Sequence, residues 1–519
     1  MRRVLASLPL FFALAFWLLR GRGAFGVPGE WVLIPNARPW PLGAWLLPLG
    51  VLLIFCGAAA LSVYDRFKRA KSEKEKRNST LTALVCLGVT LFLWPWSLLG
   101  PGDISQSNGR GEAPRPTFEG RFNIIAAQWS DVATEYFGAA YQIRDARDFG
   151  RRYASQWQKP VSPYQAHVAT HPPGAALFFY GARRVYEAVP PLQNGFERLA
   201  VSLTQQPLRD MAQGANILRL SASRGVGAGE VPPLPVSAVG GALWSAFLLG
   251  ISLVLAIPAV YGLAKSGQSG DAAEKRGLFA VALWVLAPTT NLFAFTLDAP
   301  IAAGSVWTLF LVARALDLDA TQAKRARLAS IGAGITLALT SFLSIGALAV
   351  GAVIALVILF WRREQVLVRA LEIGLAFLAT WVVLALAFAF NPIEIVLNAM
   401  QVHRFATLNS RSWLAWAPMN LIVWAPFIGL GVLICGFRRE KPTLAGAQIG
   451  LATIFVLLLL SISGNVRGEV ERLWLFALAP LAVWAAFAPI STKNAGILLG
   501  VQAAQTLLMA ATLGPLVRP

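Results

Sequence analysis

The sequence predicts an all-α polytopic membrane protein, and three observations predict it. Of its 519 residues 56% are hydrophobic and only 14% are charged, against about 25% charged residues in ordinary soluble domains. The apolar residues come in blocks of roughly 20, the length that crosses a hydrocarbon core. Lysines and arginines collect in short loops between the blocks, so that the dense clusters fall on one side of the bilayer. The net charge of +19 follows from that placement. No basic helix or aromatic-basic interleaving marks a nucleic-acid module, which excludes nucleic acid as a partner. Cys56, Cys86 and Cys435 lie inside apolar blocks and read as small hydrophobes, with neither a disulfide framework nor a metal site.

Taken in order, the first block, at about 4–19, follows Met1-Arg2-Arg3. It has the basic start of a secretory signal, but it is long enough for an uncleaved helix, which the charge alternation needs. A second block at about 42–64 leads into the densest basic run, Asp65-Arg66-Phe67-Lys68-Arg69-Ala70-Lys71 and Lys74-Glu75-Lys76-Arg77, which should be cytoplasmic. A helix at about 80–99 leads out to the long segment 100–235, and one at about 237–264 returns to Lys265, Lys275 and Arg276. A hairpin at about 278–297 and 299–316 turns at Leu297-Asp298-Ala299-Pro300. Two closely spaced helices within 328–361 return at Arg362-Arg363. Helices follow at about 369–390, 413–436, 444–463, 472–490 and 495–514. This makes about 13 spans. Three parts result: an N-terminal two-helix extension with its basic loop (1–79), a core (80–320) that includes the outward loop 100–235, and a C-terminal part (321–519) with outward loops 391–412 and 464–471.

The outward segments hold the residues that membrane anchoring does not explain. In 100–235 a Gly-, Pro- and Ser-rich lead-in gives way to order near Phe122, and Ser130 is suited to cap a helix. On that helix Asp131 and Glu135, four residues apart, share a face. Paired carboxylates can hold a divalent cation or act as a general base. Next comes Ala169-Thr170-His171-Pro172-Pro173-Gly174. Its prolines hold His171 extended ahead of a helix too short to span, which should lie at the interface. Asp298 is costly facing lipid and cheaper in a surface turn, and an acid in so apolar a hairpin calls for a partner. Two loops add charge, His403 and Arg404 in one and Arg467, Glu469, Glu471 and Arg472 in the other. Outward arginines run against the positive-inside bias, and guanidinium groups suit phosphate recognition.

An acid-bearing first outward loop, a His-Pro-Pro motif before an interfacial helix, and an Asp-x-Pro turn two helices later resemble the GT-C glycosyltransferases. Within these the chain is most similar to the protein O-mannosyltransferase and lipid A aminoarabinose transferase branch, over about 122–320. The resemblance implies a GT-C-like bundle and a sugar donor on a polyprenyl phosphate. It places the first-loop acid at the active site; by register this acid is Asp131, with Glu135 its competitor. It further implies an inverting transfer to a glycan or other hydroxyl acceptor on the outer face of a membrane, the bacterial inner membrane being the expected one. His171, Asp298, His403, Arg404, Arg467, Glu469, Glu471 and Arg472 are then expected to bind substrate, with a divalent cation as an open possibility. A transporter or lipid flippase for a glycolipid is the alternative. It expects charges at mid-bilayer and matched broken helices in two repeats, and no internal repeat is visible. A non-enzymatic scaffold would not need His171 and Asp298 in such settings.

Overall fold

The computed structural model describes residues 2–20, 25–28, 30–33, 42–70, 72–99, 104–107, 115–118, 123–129, 136–158, 166–223, 233–318, 322–361, 364, 366–437 and 444–513. Helix α1 (Arg2–Arg20) is followed by strands β1 (Phe25–Val27) and β2 (Trp31–Leu33). Helices α2 (Leu46–Val51) and α3 (Gly57–Lys68) join through a π-helical turn into one rod, and α4 (Glu73–Ser97) returns. Ser72 and Glu75 cap α4 reciprocally, satisfying two amide donors at its first turn. The lead-in carries an antiparallel pair, β3 (Ile104–Ser107) with β4 (Arg115–Phe118), so the all-α expectation is interrupted by two short hairpins.

The long segment between α4 and the next long apolar helix continues with short helices α5 (Asn123–Trp129), α6 (Tyr136–Gln142), α7 (Ala146–Gln156) and α8 (Ala166–Thr170). Longer ones follow: α9 (Gly174–Ala188), α10 (Pro190–Thr204) and α11 (Leu208–Ser223). The helix after the His-Pro-Pro motif therefore runs past Arg184, and Arg183 turns inward to donate to Tyr141 O and Ile143 O at the end of α6. Then come α12 (Ala238–Lys265), α13 (Asp271–Val285), α14 (Pro288–Leu292), α15 (Asp298–Asp317) and α16 (Ala323–Leu343). These are followed by α17 (Leu348–Trp361), α18 (Val366–Phe388), α19 (Pro392–His403), α20 (Trp413–Ile428) and α21 (Leu430–Gly436). The chain ends with α22 (Ala445–Ser463), α23 (Val470–Leu473), α24 (Leu475–Ala486) and α25 (Thr492–Leu513).

Among the described residues 8 helices are long and apolar enough to cross a membrane, and the bent pair α20–α21 makes up to 9. Shorter apolar helices occupy Ser7–Arg20, Ile345–Trp361 and Leu475–Ala486. Together they make this an integral membrane protein. On α18, Leu367, Leu371, Leu375, Leu378, Val382 and Leu386 are exposed; they recur every three or four residues, a lipid-facing stripe along one helix face.

The helix ends sort into two groups. At the basic end, buried Arg66 of α3 pairs with Asp271 (3.6 Å) and Glu274 (3.8 Å) of α13, and Lys265 and Tyr261 of α12 also bond Glu274. Nearby, Ser266 donates to Asp317 at the end of α15. At the other end, here the loop end, helices α5–α11 are fastened onto the bundle. Gln128 donates to Phe295 O (2.6 Å), Gln158 to Ile395 O (3.0 Å) and Trp244 to Ala182 O (3.0 Å). Two glycines allow backbone-to-backbone approach. A Cβ on Gly150 would sit 2.0 Å from Phe388 O and one on Gly174 2.1 Å from Phe342 O, so any larger residue pushes α7 or α9 off the ends of α18 and α16.

Two spans expected to be continuous are broken. In place of one helix over about 278–297, α13 starts at Asp271 and stops before Pro288, which cannot continue the hydrogen-bond ladder and pushes Ala287 to an extended conformation (ψ 142°). In place of one helix over about 413–436, α20 and α21 meet at a 114° bend at Gly429, whose φ of +96° suits only glycine. Both breaks free backbone groups in an apolar interior, and α25 satisfies them. Gln505 accepts from Leu430 N (2.8 Å) and donates to Pro426 O. Gln502 accepts from Val432 N (3.2 Å) and donates to Leu283 O (2.6 Å), while Thr506 donates to Leu286 O (2.8 Å). Gln502, Gln505 and Thr506 are fully buried. Replacing Gln505 by Leu leaves a buried N–H and a buried C=O unpaired. It is expected to cost about 2–4 kcal/mol of stability, read as a lowered melting temperature in detergent; a variant as stable as the parent contradicts this account of the break.

Candidate functional site

At the loop end a short turn at Phe293–Leu297 delivers Asp298 as the first residue of α15. Its carboxylate accepts from Thr296 Oγ1 (3.1 Å) and lies 3.8 Å from Arg472 of the one-turn helix α23. Arg472 donates to Glu469 (2.7 Å), whose other oxygen accepts from Arg411 (2.9 Å). This row of alternating charges links the start of α15 to two loops distant in sequence. The side chains are only 15–28% exposed, so water screens the attraction little.

The loop before α23 has to turn sharply. Gly464 and Gly468 have φ of +69° and +87°, and Glu469 itself has φ +58°, which is uncommon outside glycine. Arg467 braces the loop by donating to Gly464 O (2.8 Å), Leu408 O (2.6 Å) and Arg411 O. His403 Nε2 bonds Asn465 O (2.8 Å), and Asn420 holds both Val466 O and Gly468 N. These contacts join the 404–412 and 464–469 loops into one unit.

The His-Pro-Pro segment lies within electrostatic reach of this unit. His171 Nδ1 donates to Leu343 O (2.9 Å) at the end of α16, a partner that only accepts, so Nδ1 carries the proton and Nε2 is left as an acceptor. Burial, with the nearby positive charges of His167, Arg472 and His403, lowers the imidazole to about 4. The ring is therefore neutral at physiological pH. The edge of Tyr136 packs on it, with ring centroids 5.2 Å apart, and Tyr136 also lies in the electrostatic neighbourhood of Arg472.

Two neighbouring acids behave oppositely. Burial alone would raise Glu469; Arg472, then His167 and Arg411, override it and hold the carboxyl well below the usual range. Glu471 makes no ion pair among the described residues, and the pull of Arg472 and Arg411 on it is outweighed by burial and by the negative Glu469. It is buried, its Oε2 has no hydrogen-bond partner among the described residues, and burial pushes its carboxyl up to about 8. At neutral pH Glu469 is a carboxylate and Glu471 a carboxylic acid.

Of the residues expected from sequence, His171, His403, Asp298, Arg467, Glu469 and Arg472 meet here. Glu471 is buried beside them without bonding to them, and Arg404 is exposed with no ion pair among the described residues. Asp131 and Glu135, with the Ser130 cap, lie outside the described residues. Their flanks do not: Trp129 donates to Asn216 (3.2 Å), and Tyr136 is the residue against His171. Arg411 was missed, although it stands in the same loop as Arg404; its place just before the apolar α20 was the available signal. Among the described residues no three His, Cys, Asp or Glu side chains are grouped as metal ligands. No family model matches the chain, and neither the curated proteins nor the solved structures contain a match to it.

Arg472→Met leaves Asp298 and Glu469 facing each other without their shared cation. It should cost about 3–5 kcal/mol in detergent melts, and Asp298→Asn markedly less; equal costs would contradict a shared role for Arg472. Glu471 has a pH signature. Its carboxyl ionises near 4.5 when unfolded and near 8 when folded, so the folded state holds the extra proton between these values and stability falls as pH rises through them. Glu471→Gln should flatten that fall, and a variant with the parent's slope over this window refutes the assignment.

Proposed function

We propose that the protein is a membrane glycosyltransferase that moves a sugar from a polyprenyl-phosphate donor to a hydroxyl acceptor, on a glycan or similar molecule. The observation that carries this reading is the Asp298–Arg472–Glu469–Arg411 row within electrostatic reach of His171 and of Tyr136, the residue that follows the acid-bearing stretch 130–135 in sequence. Four guanidinium groups, those of Arg404, Arg411, Arg467 and Arg472, stand against three carboxylates, Asp298, Glu469 and the Glu30 that accepts from Ser412 N, and Arg404 is exposed with no ion pair among the described residues. That excess of positive charge at one end of an apolar bundle suits a lipid-linked phosphate.

In this reading the acceptor oxygen attacks the anomeric carbon from the face opposite the phosphate. The C–O bond to phosphate breaks, the polyprenyl phosphate leaves with the electron pair, and the anomeric centre inverts. Asp131 or Glu135 takes the acceptor's proton; a divalent cation, if one is bound, would be held by the same acids and would supply charge neutralisation of the donor phosphate. The arginines stabilise charge gathering on the leaving phosphate. Neutral His171 accepts a hydrogen bond from a donor or acceptor hydroxyl through Nε2. The loop end then faces the non-cytoplasmic side of a bacterial inner membrane, because the basic end is the one that the positive-inside rule retains.

A second reading, a glycolipid transporter or flippase, is favoured by the breaks at Pro288 and Gly429, since broken helices line many transport sites. Against it, α25 occupies the groups that those breaks release. Sugar transfer from polyprenyl-phosphate sugars in membranes tests the first reading, comparing the parent with Asp131→Asn and Glu135→Gln. One of the two should lose on the order of 10²–10⁴-fold in rate. Unchanged transfer in both removes the acid assignment, and lipid translocation without transfer favours the transporter.

A further inference from the structure

The hairpin β1–β2 lies far from the site in sequence yet touches it. Glu30, in the turn between the strands, reaches across to the start of α20. Its carboxylate accepts from Ser412 N (2.9 Å to each oxygen) and from Trp416 Nε1 (2.7 Å). Ser412 stands at the N-cap of α20, but its own side chain makes no capping bond. Glu30 therefore supplies an acceptor that the loop does not, with its charge at the positive end of the helix dipole.

What Glu30 holds is the scaffold of Arg411. Trp416 is fully buried, and its ring shares a tight niche with the Arg411 guanidinium. A Cβ on Gly468 would lie 2.7 Å from Arg411 Nη1 and 3.1 Å from Trp416 Cη2. From Arg411 the contacts run through Glu469 and Arg472 to Asp298. The hairpin is anchored behind by α1, which packs on α21 and α25, and in front by β1 against α20.

We infer that the hairpin 25–33 is a strap and Glu30 a positioning residue, which fixes the 404–412 loop so that Arg411 stays aligned with Glu469. The strap itself does not depend on the identity of the substrate; its effect on transfer rests on the function proposed above. Glutamine at position 30 keeps the size and one accepting oxygen, but its amide end opposes a donor.

Limited trypsin digestion of the full chain in detergent, followed by mass spectrometry, tests this. Cleavage after Arg404 and Arg411 is compared with cleavage after Arg69 and Lys71 in the distant basic loop between α3 and α4. In Glu30→Ala, cleavage at Arg404 and Arg411 should rise about tenfold while the basic-loop sites stay unchanged. Glu30→Gln and Trp416→Phe, which each remove part of the contact, should give smaller rises at the same two sites. Unchanged cleavage in all three variants, or an equal rise at both loops, overturns the strap. If wild type transfers sugar, Glu30→Ala should also lower kcat, and an opened loop with full kcat overturns the positioning role. If wild type transfers nothing, the glycosyltransferase reading falls and the digestion still decides the strap.

Discussion

A hydrogen-bonding group inside this bundle has no water to fall back on, and the rest of the architecture depends on meeting that demand. A helix meets it largely internally, and eight helices among the described residues are long and apolar enough to span in this way. Where Pro288 and Gly429 interrupt the ladder, the freed groups need outside partners, and Gln502, Gln505 and Thr506 of α25 provide them. A helix that reads as an unremarkable apolar span at the end of the chain thus holds two others in shape, which in turn set the direction in which α20 approaches the loop end.

The same demand, applied to charge, explains the site. Desolvated ions survive only when they are paired and hydrogen-bonded. Asp298, Arg472, Glu469 and Arg411 satisfy one another in series, and Arg467 spends its donors on carbonyls. In a row of this kind, loss of one member leaves its neighbours' buried charge uncompensated. Glu471, one residue away, solves the problem differently, by keeping its proton.

Much of the fold was legible. Arg66 and Lys265 do collect at one end, because the charge alternation that predicted it reflects the cost of burying ions in lipid. His171, Asp298 and Arg472 stood out for the same reason: each is polar in apolar surroundings. The two breaks were not legible, since Pro288 and Gly429 lie within hydropathy blocks that look continuous, and hydropathy averages over a window longer than the defect. Glu30 was missed because nothing local distinguishes it from a surface charge, and Arg411 because only its place just before the apolar α20 marked it.

The sequence by itself determined the membrane class, the grouping of basic loops and the polar residues worth watching, because these follow from composition and from period along the chain. Only the tertiary structure decided which carboxylate pairs with which arginine, that His171 is neutral and Glu471 protonated, and that an N-terminal hairpin braces a loop nearly 400 residues away (|i−j| 382). Those outcomes depend on burial and on contacts between segments remote in sequence, and electrostatic energy in a low-dielectric interior changes steeply over a few ångströms. No pattern along the chain encodes such distances.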